Sequence, residues 1–273
     1  MTNTRNIDEQ CAVEPKMEKT VIKEVKEVEL KNPVLIEGLP GLGMVGRIVT
    51  RYLAKELKAK KIAELYSPHF PYYVLVSKKG NVRLLRGNFY FGKDDDGEND
   101  FLFFTGDSQA QTVEGQYEVA NAILDYAEKQ HITTLITIGG YRKEVEKTPK
   151  VIAASTNADL LNKALKSKAV TSPSGNPIVG TAGLLLGLAR FRNIDALCLL
   201  AETRGYLPDP KAAKSVLQVL QRMLKIEIDL NHLETEIEKS EKLVERMHEI
   251  EERREEHAQK MRRMEEEKIT YIS

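Results

Sequence analysis

The stretch VLIEGLPGLGMVGRIVTRYLAKEL, running from Val34 to Leu57, decides the fold. Its first part is almost wholly apolar and reads as a strand over Val34–Leu39. After a turn rich in glycine and proline, apolar residues return at helical spacing and predict a helix over Met44–Leu57. An apolar strand feeding an amphipathic helix is the building unit of parallel sheets covered on both faces, because each strand then buries both of its sides. The alternation continues outward. Strands are expected at Tyr72–Ser77, Val82–Phe91, Phe101–Thr105, Thr133–Ile138 and Ala196–Ala201, and helices at Val113–Lys129, Asn157–Ser167 and Pro210–Ile226. The expected class is therefore α/β with a mainly parallel sheet. Val82–Phe91, interrupted by Arg83, Arg86 and Gly87, reads as an antiparallel excursion that leaves through the polar loop Lys93–Asp100. Pro208 opens the last body helix, with Asp209 suited to its positive end.

Two residue types mark where this body stops. All 17 glycines and all 10 prolines lie at or before Pro210, and beyond Tyr206 the only Phe or Tyr is Tyr271. From Leu233 to Lys268, 22 of 36 residues are charged. The chain divides into a flexible N-terminal segment, residues 1–19, an α/β domain, residues 20–226, and a charged helical arm, residues 227–273. With Leu230 as an a position, the heptad seam continues through Leu233, Ile237, Val244 and Met247 and fails across Glu251–Glu256. One unbroken helix from Pro210 to Lys268 would reach on the order of 90 Å. Such a narrow apolar stripe needs a partner helix or the body to cover it, which points to a coiled-coil arm and a homo-oligomer.

Composition removes several function classes. With 41 Lys+Arg against 41 Asp+Glu in 273 residues, the chain lacks the cation surplus of a general nucleic-acid or membrane-surface binder. Residues 1–20 hold no apolar run that reads as a signal peptide, and Val179–Ala189 is too short and glycine-broken to span a bilayer. Cys11 and Cys198 form no disulfide framework, so a reducing, cytoplasmic home is expected. The five histidines are scattered, with His232, His248 and His257 on the arm, and no metal site is expected. Nor is there a G-x-S-x-G nucleophile elbow. The loop Asp94-Asp95-Asp96-Gly97 lacks the alternating spacing of a calcium loop.

Gly41-Leu42-Gly43-Met44-Val45-Gly46 formally matches the dinucleotide fingerprint, and Glu64 stands about where a ribose-binding acid would. Against that, Gly38-Leu39-Pro40 lengthens and stiffens the turn, so the competing reading is a strand-to-helix turn whose glycines allow close packing. Neither catalytic nor cofactor-binding residues are expected from it. A second cluster, Gly106-Asp107-Ser108-Gln109 with Glu114-Gly115-Gln116-Tyr117-Glu118, follows a strand, where open α/β sheets bind ligands. Asp107, Glu114 and Glu202 are the acid–base candidates if that edge is an enzyme cleft for a nucleoside- or nucleotide-like ligand. Alternatively, Asp107 and Gln109 cap the helix starting near Thr112. Gly139-Gly140-Tyr141 and Glu202-Thr203-Arg204-Gly205-Tyr206 end two further strands at the same edge.

The last residues, Ile269-Thr270-Tyr271-Ile272-Ser273, set apolar and aromatic groups at the tip of an ionic arm. Tyr joins a large buriable area to a hydroxyl, and a C-terminal carboxylate is readily captured, so Ile269, Tyr271, Ile272 and Ser273 are the candidate partner-binding residues.

Six segments occur in order: Gly38–Gly46, Thr105–Gln109, Glu114–Glu118, Ile138–Tyr141, Gly180–Gly187 and Leu200–Pro210. Together they make the chain resemble the archaeal branch of the proteasome assembly chaperone family, in particular homologues of the second assembly chaperone. The resemblance implies a three-layer α/β sandwich similar to purine nucleoside phosphorylases, assembly into small rings or clusters, and a non-enzymatic role. It also implies partners: proteasome core particle α subunits, bound by a C-terminal hydrophobic–Tyr–X tail, or a proteasome-related adaptor. In that tail Tyr is penultimate. Here Tyr271 is third from the end, Ile272 is penultimate and Thr270 precedes the Tyr, so direct docking and engagement through an adaptor both stay open.

Overall fold

A computed structural model describes residues 17–93, 100–145, 148–235 and 237. In chain order the elements begin with β1 (Val21–Glu24), β2 (Val34–Glu37), α1 (Val45–Glu56), β3 (Lys60–Tyr66), β4 (Val74–Val76), β5 (Val82–Leu84), β6 (Gly87–Lys93) and β7 (Asp100–Gly106). They continue with α2 (Val113–Lys129), β8 (Thr134–Arg142), β9 (Val151–Ser155), α3 (Ala158–Lys166), β10 (Val170–Thr171), α4 (Thr181–Ala189), β11 (Asp195–Thr203) and α5 (Pro210–Leu224).

Nine strands form one sheet in the order β1-β3-β6-β7-β2-β8-β11-β9-β10. The four central strands β7, β2, β8 and β11 are parallel. On one flank β6, β3 and β1 pair antiparallel, and on the other β9 runs antiparallel to β11. The sheet is thus mixed: parallel where helices connect its strands, antiparallel at the flanks. The expected excursion is present but broken, since Val82–Phe91 divides at Leu85 and Arg86 into β5, which pairs with β4, and β6, which joins the main sheet.

Side-chain alternation builds a layer on each face. In β7, Phe101 and Phe103 join a buried cluster with Val45, Val49 and Leu53 of α1, Ala164 of α3 and Val216, Leu217 and Leu220 of α5. Leu102 and Phe104 point the other way, to a cluster with Val119, Ile123 and Leu124 of α2 and Leu185 and Ala189 of α4. Each covering helix starts where its sequence supplies an acceptor or a packing reason. Thr112 Oγ1 accepts from Gly115 N at 3.0 Å to cap α2, Asn157 Oδ1 accepts from Asp159 N and Leu160 N to cap α3, and Asp209 accepts from Ala212 N at 2.8 Å to cap α5. Pro210, rather than Pro208, is the first helical residue of α5.

The helix does not run on from α5 into the arm. Lys225 takes a left-handed conformation (φ 56°), and Ile226 and Ile228 turn into the core beside α1 and α5. Tyr52 Oη donates to the Asp229 carbonyl at 2.6 Å and Gln221 Nε2 to the Ile228 carbonyl at 2.9 Å, fixing the bend. Residues 231–235 are helical again, with Leu233 buried and Glu234 paired to Lys214 at 2.6 Å, so the chain folds back along α5. Leu230 and Leu233, the first two seam residues, pack against the body's core. The arm beyond Ile237 lies outside the described residues.

Candidate functional site

Because β7, β2, β8 and β11 are parallel, their carboxyl ends and the loops behind them meet at one edge of the sheet. At β2 the glycine turn packs a helix against a strand. A Cβ on Gly38 would overlap the Gly46 carbonyl and Thr50 Oγ1, and one on Gly46 would overlap the Ile138 carbonyl of β8. Gly43 (φ 60°) and Met44 (φ 54°) are both left-handed, turning the chain into α1 without a side-chain cap. The turn is filled by the protein's own backbone. Gly43 N donates to the Gly205 carbonyl at 3.3 Å, and Asp209 N donates to the Gly43 carbonyl at 2.8 Å. Thr203 Oγ1 donates to Asp209 Oδ2 at 2.7 Å and accepts from Gly205 N at 3.2 Å, which locks the β11–α5 loop over that turn. Glu64 sits on β3, three strands from β2, bonded to Lys61, Arg86 and Tyr66. The turn therefore serves close packing, and the fingerprint match is formal.

The second cluster also acts as a structural joint, by a different device from capping. Arg83 holds Asp107 in a two-pronged pair, Nη1 to Oδ2 at 2.5 Å and Nη2 to Oδ1 at 3.1 Å, and Arg86 N donates to Oδ2 at 3.1 Å. Burial alone would raise the Asp107 carboxyl, but the bonds from Arg83 and Arg86 and the nearby Arg47 charge outweigh it and hold the group below its ordinary value. Gln109 joins three elements. Its Nε2 donates to the Pro40 carbonyl at 2.7 Å, and its Oε1 accepts from Thr181 N, the first residue of α4, at 3.1 Å. Thr112 is the cap of α2, so neither Asp107 nor Gln109 has the capping role expected of it.

Glu202 Oε1 receives Lys143 Nζ at 2.7 Å and its Oε2 receives Lys150 N at 3.0 Å. Burial raises this carboxyl too, and the lysine side chain and backbone amide reverse the shift. Glu114 is exposed on the first turn of α2. Asp107 and Glu202 are thus held by separate partners on separate elements, and Glu114 is exposed on a third. The Arg142 guanidinium stacks 4.9 Å from the exposed Tyr206 ring, so the rim of this edge carries a cation on an aromatic face. Among the described residues no group of three or more His, Cys, Asp or Glu side chains is placed to hold a metal, and no helix is long and apolar enough to cross a membrane.

The sequence profile of the PAC2 family matches residues 35–248, a span that contains every loop of this edge. The chain belongs to the PAC2 family. Among solved PAC2-like structures, Pyrococcus furiosus PbaB, an archaeal proteasome activator, superposes with a TM-score of 0.81 at 37% identity, covering 85% of this chain and all (100%) of that one. Pyrococcus furiosus PbaA, an archaeal homolog of proteasome-assembly chaperone, gives a TM-score of 0.67 at 29% identity, covering 84% of this chain and 97% of that one. A Methanocaldococcus jannaschii protein, uncharacterized protein MJ1210, is 35% identical over 239 residues, which is 86% of this chain and 91% of the relative.

Two features of this PAC2 body escaped the sequence reading. Glu37, in the apolar run of β2, is 1% exposed; its Oε1 accepts from Leu39 N at 3.1 Å while Oε2 has no hydrogen-bond partner. Burial pushes this carboxyl up to about 8, outweighing the Leu39 amide, which pulls the other way. Beside it in register lie Thr137 on β8 and, next along, Cys198 on β11, whose thiol burial pushes up to about 12. The second feature is apolar: Tyr72, Tyr73, Val74, Val76, Val82 and Leu84, on and around the β4–β5 hairpin, are exposed. The expected partner-binding residues Ile269, Tyr271, Ile272 and Ser273 lie outside the described residues, as do residues 1–16 of the expected N-terminal segment.

Proposed function

We propose that this PAC2 protein is a non-enzymatic, homo-oligomeric proteasome assembly chaperone or proteasome-binding adaptor acting in the cytoplasm through its C-terminal tails. The α/β body self-associates, the charged arm projects, and Ile269, Tyr271, Ile272 and Ser273 engage proteasome core particle α subunits or a proteasome-related adaptor. The observation that carries this reading is the match to the archaeal proteasome activator PbaB over that protein's whole length, at 37% identity. Weak tails gathered on one oligomer bind tightly through effective concentration, with no single contact strong. The reading of the edge as a nucleoside- or nucleotide-handling enzyme draws less support, since Asp107 and Glu202 already neutralise basic groups and the glycine turn holds its own backbone.

Affinity capture from native lysate tests the proposal, comparing the full chain with one lacking Tyr271–Ser273. The full chain is expected to retain proteasome α subunits, and the truncated chain to lose them. Equal recovery by both chains removes the tail from the mechanism.

A further inference from the structure

Helix α1 carries its cations where an isolated chain is the worse for them. Arg47, Arg51 and Lys55 follow one another at four-residue spacing and so share one face, and the only acid of the helix, Glu56, is its last residue. Like charges four residues apart weaken a helix. Arg47 also stands in the first turn, where the helix dipole is positive and the sequence supplies neither an acid nor a side-chain cap. Arg47 is partly buried, yet among the described residues neither it nor the exposed Arg51 makes an ion pair or a hydrogen bond. Burial presses the Arg47 guanidinium below its ordinary value, the charges of Arg51 and Arg83 press the same way, and Asp107 opposes them.

The carboxylates nearby are already taken. Asp107 is gripped by both Nη atoms of Arg83 and by the Arg86 amide. Glu64, Asn88 and Thr105 stand in register across β3, β6 and β7, with Asp107 two residues beyond Thr105. Glu64 is shared among Lys61, Arg86 and Tyr66, and even so Arg86 keeps a buried Nε without an acceptor. Lys61, Arg47, Arg51, Arg83 and Arg86 thus share two carboxylates, and the surplus falls on the two arginines of α1.

The chemistry that fits this surplus is a row of carboxylates. Groups four apart on a helix lie about 6 Å from one another at Cβ, which suits two spaced anions rather than one compact one. Arg83 shows the mode of recognition already in use, a planar fork closed on a carboxylate. A single phosphate calls for converging backbone amides, and at the start of α1 Gly43 N and Met44 N are engaged by the Gly205 and Gly41 carbonyls. A nucleic acid calls for a cation surplus, which a chain with 41 basic and 41 acidic residues lacks.

We propose that Arg47 and Arg51, flanked by Arg83, form a docking site for an acidic segment of a partner polypeptide, two carboxylates of which pair with the two α1 guanidinium groups. The site goes beyond the tail-mediated role and uses no part of the tails.

Fluorescence anisotropy of a labelled oligoglutamate peptide with the full chain tests it, with oligothymidylate and inorganic phosphate as parallel probes at matched, low ionic strength. The wild type is expected to bind the peptide, and Arg47→Gln/Arg51→Gln to weaken it about tenfold or more. Lys78→Gln/Lys79→Gln, at the exposed tip of the β4–β5 hairpin, and the chain lacking Tyr271–Ser273 are expected to bind as the wild type does. The Arg47→Gln/Arg51→Gln chain is also expected to melt no lower than wild type, because it loses cations that the isolated fold leaves unpaired. Equal binding by wild type and this variant overturns the site, and a lower melting temperature makes the pair structural. Tighter binding of oligothymidylate turns the surface into one for nucleic acid, and displacement of the peptide by phosphate turns it into a small-anion site. A smaller assembly mass for the variant in sedimentation assigns the arginines to a second copy. Each of these outcomes contradicts the acidic-polypeptide site, as does loss of peptide binding on removal of the tail, whereas proteasome capture, read separately, reports on the tails.

Discussion

Arg83 and Asp107 are joined by two nitrogen–oxygen contacts, 2.5 and 3.1 Å long, that tie the β4–β5 hairpin to the loop after β7 across 24 residues of chain. Both side chains are less than half exposed, so the pair is neither a freely solvated surface bridge nor a fully desolvated one. Its loss leaves one partly buried charge alone. Asp107→Ala is expected to lower stability by about 1–3 kcal/mol and to speed hydrogen exchange in residues 72–86 ahead of the main sheet, read by exchange mass spectrometry. Because the Asp107 carboxyl is held below its ordinary value, its contribution is full above the unfolded-state value near 3.8 and fades as pH falls through the lower folded-state value. Uniform exchange at pH 7 in both proteins contradicts this role.

Glu37 predicts the opposite trend. Unfolded, its carboxyl ionises near 4.5; folded, it keeps its proton to about 8. Between those values unfolding releases a proton, so the stability this group confers is complete below about 4.5 and is lost as pH rises to about 8. Glu37→Gln keeps an acceptor for Leu39 N and removes the titration. The variant should match wild type near pH 4.5 and exceed it by roughly 4 kcal/mol at pH 8, measured by denaturant unfolding. A difference that does not grow with pH removes Glu37 as the cause.

The glycines separate into two kinds, and alanine substitution tells them apart. Gly46→Ala drives a methyl into the Ile138 carbonyl and should destabilise by about 3 kcal/mol or leave the chain insoluble. Gly187, inside α4, has nothing within 4 Å of where a Cβ would lie, so Gly187→Ala should stabilise by about 0.5–1 kcal/mol. Thermal melts of both variants decide it. Equal effects would show that the turn is not packed as tightly as described.

The filled turn also predicts silence toward nucleotides. With Gly43 bonded to Gly205 and Asp209, the start of α1 offers no vacant cradle to a pyrophosphate. Dinucleotides and ATP at millimolar concentration are expected to leave the melting temperature unchanged. A saturable rise of several degrees, abolished in Asp107→Ala, reinstates the enzyme reading.

What the sequence made legible was decided by how local each cause is. β2, α1 and α2 carry their own periodicity and turn chemistry, and α2 forms over the predicted Val113–Lys129. β3 was missed because KKIAELY leans helical in Ala, Glu and Leu and becomes a strand only by pairing with β1 and β6. α4 was hidden by its glycines, one of which is demanded by the Ile178 carbonyl, a neighbour visible only in three dimensions. The bend at Lys225 gives no Gly or Pro signal; what sets it is that Ile226, Ile228 and Leu233 find a core to enter. At the edge, the packing role of Gly38 and Gly46 could be read from their spacing, whereas the grip of Arg83 on Asp107 and the burial of Glu37 depend on which strands meet.

The most direct measurement of the central claim uses purified components. Archaeal proteasome α-rings are immobilised, and the full chain, the chain lacking Tyr271–Ser273 and the Tyr271→Ala variant are passed over them at matched oligomer concentration. The account predicts slow, multivalent dissociation for the full chain and a drop of at least a hundredfold in apparent affinity for both variants, with oligomer mass unchanged. Undiminished binding by the truncated chain would contradict it and move the proteasome contact onto the α/β body.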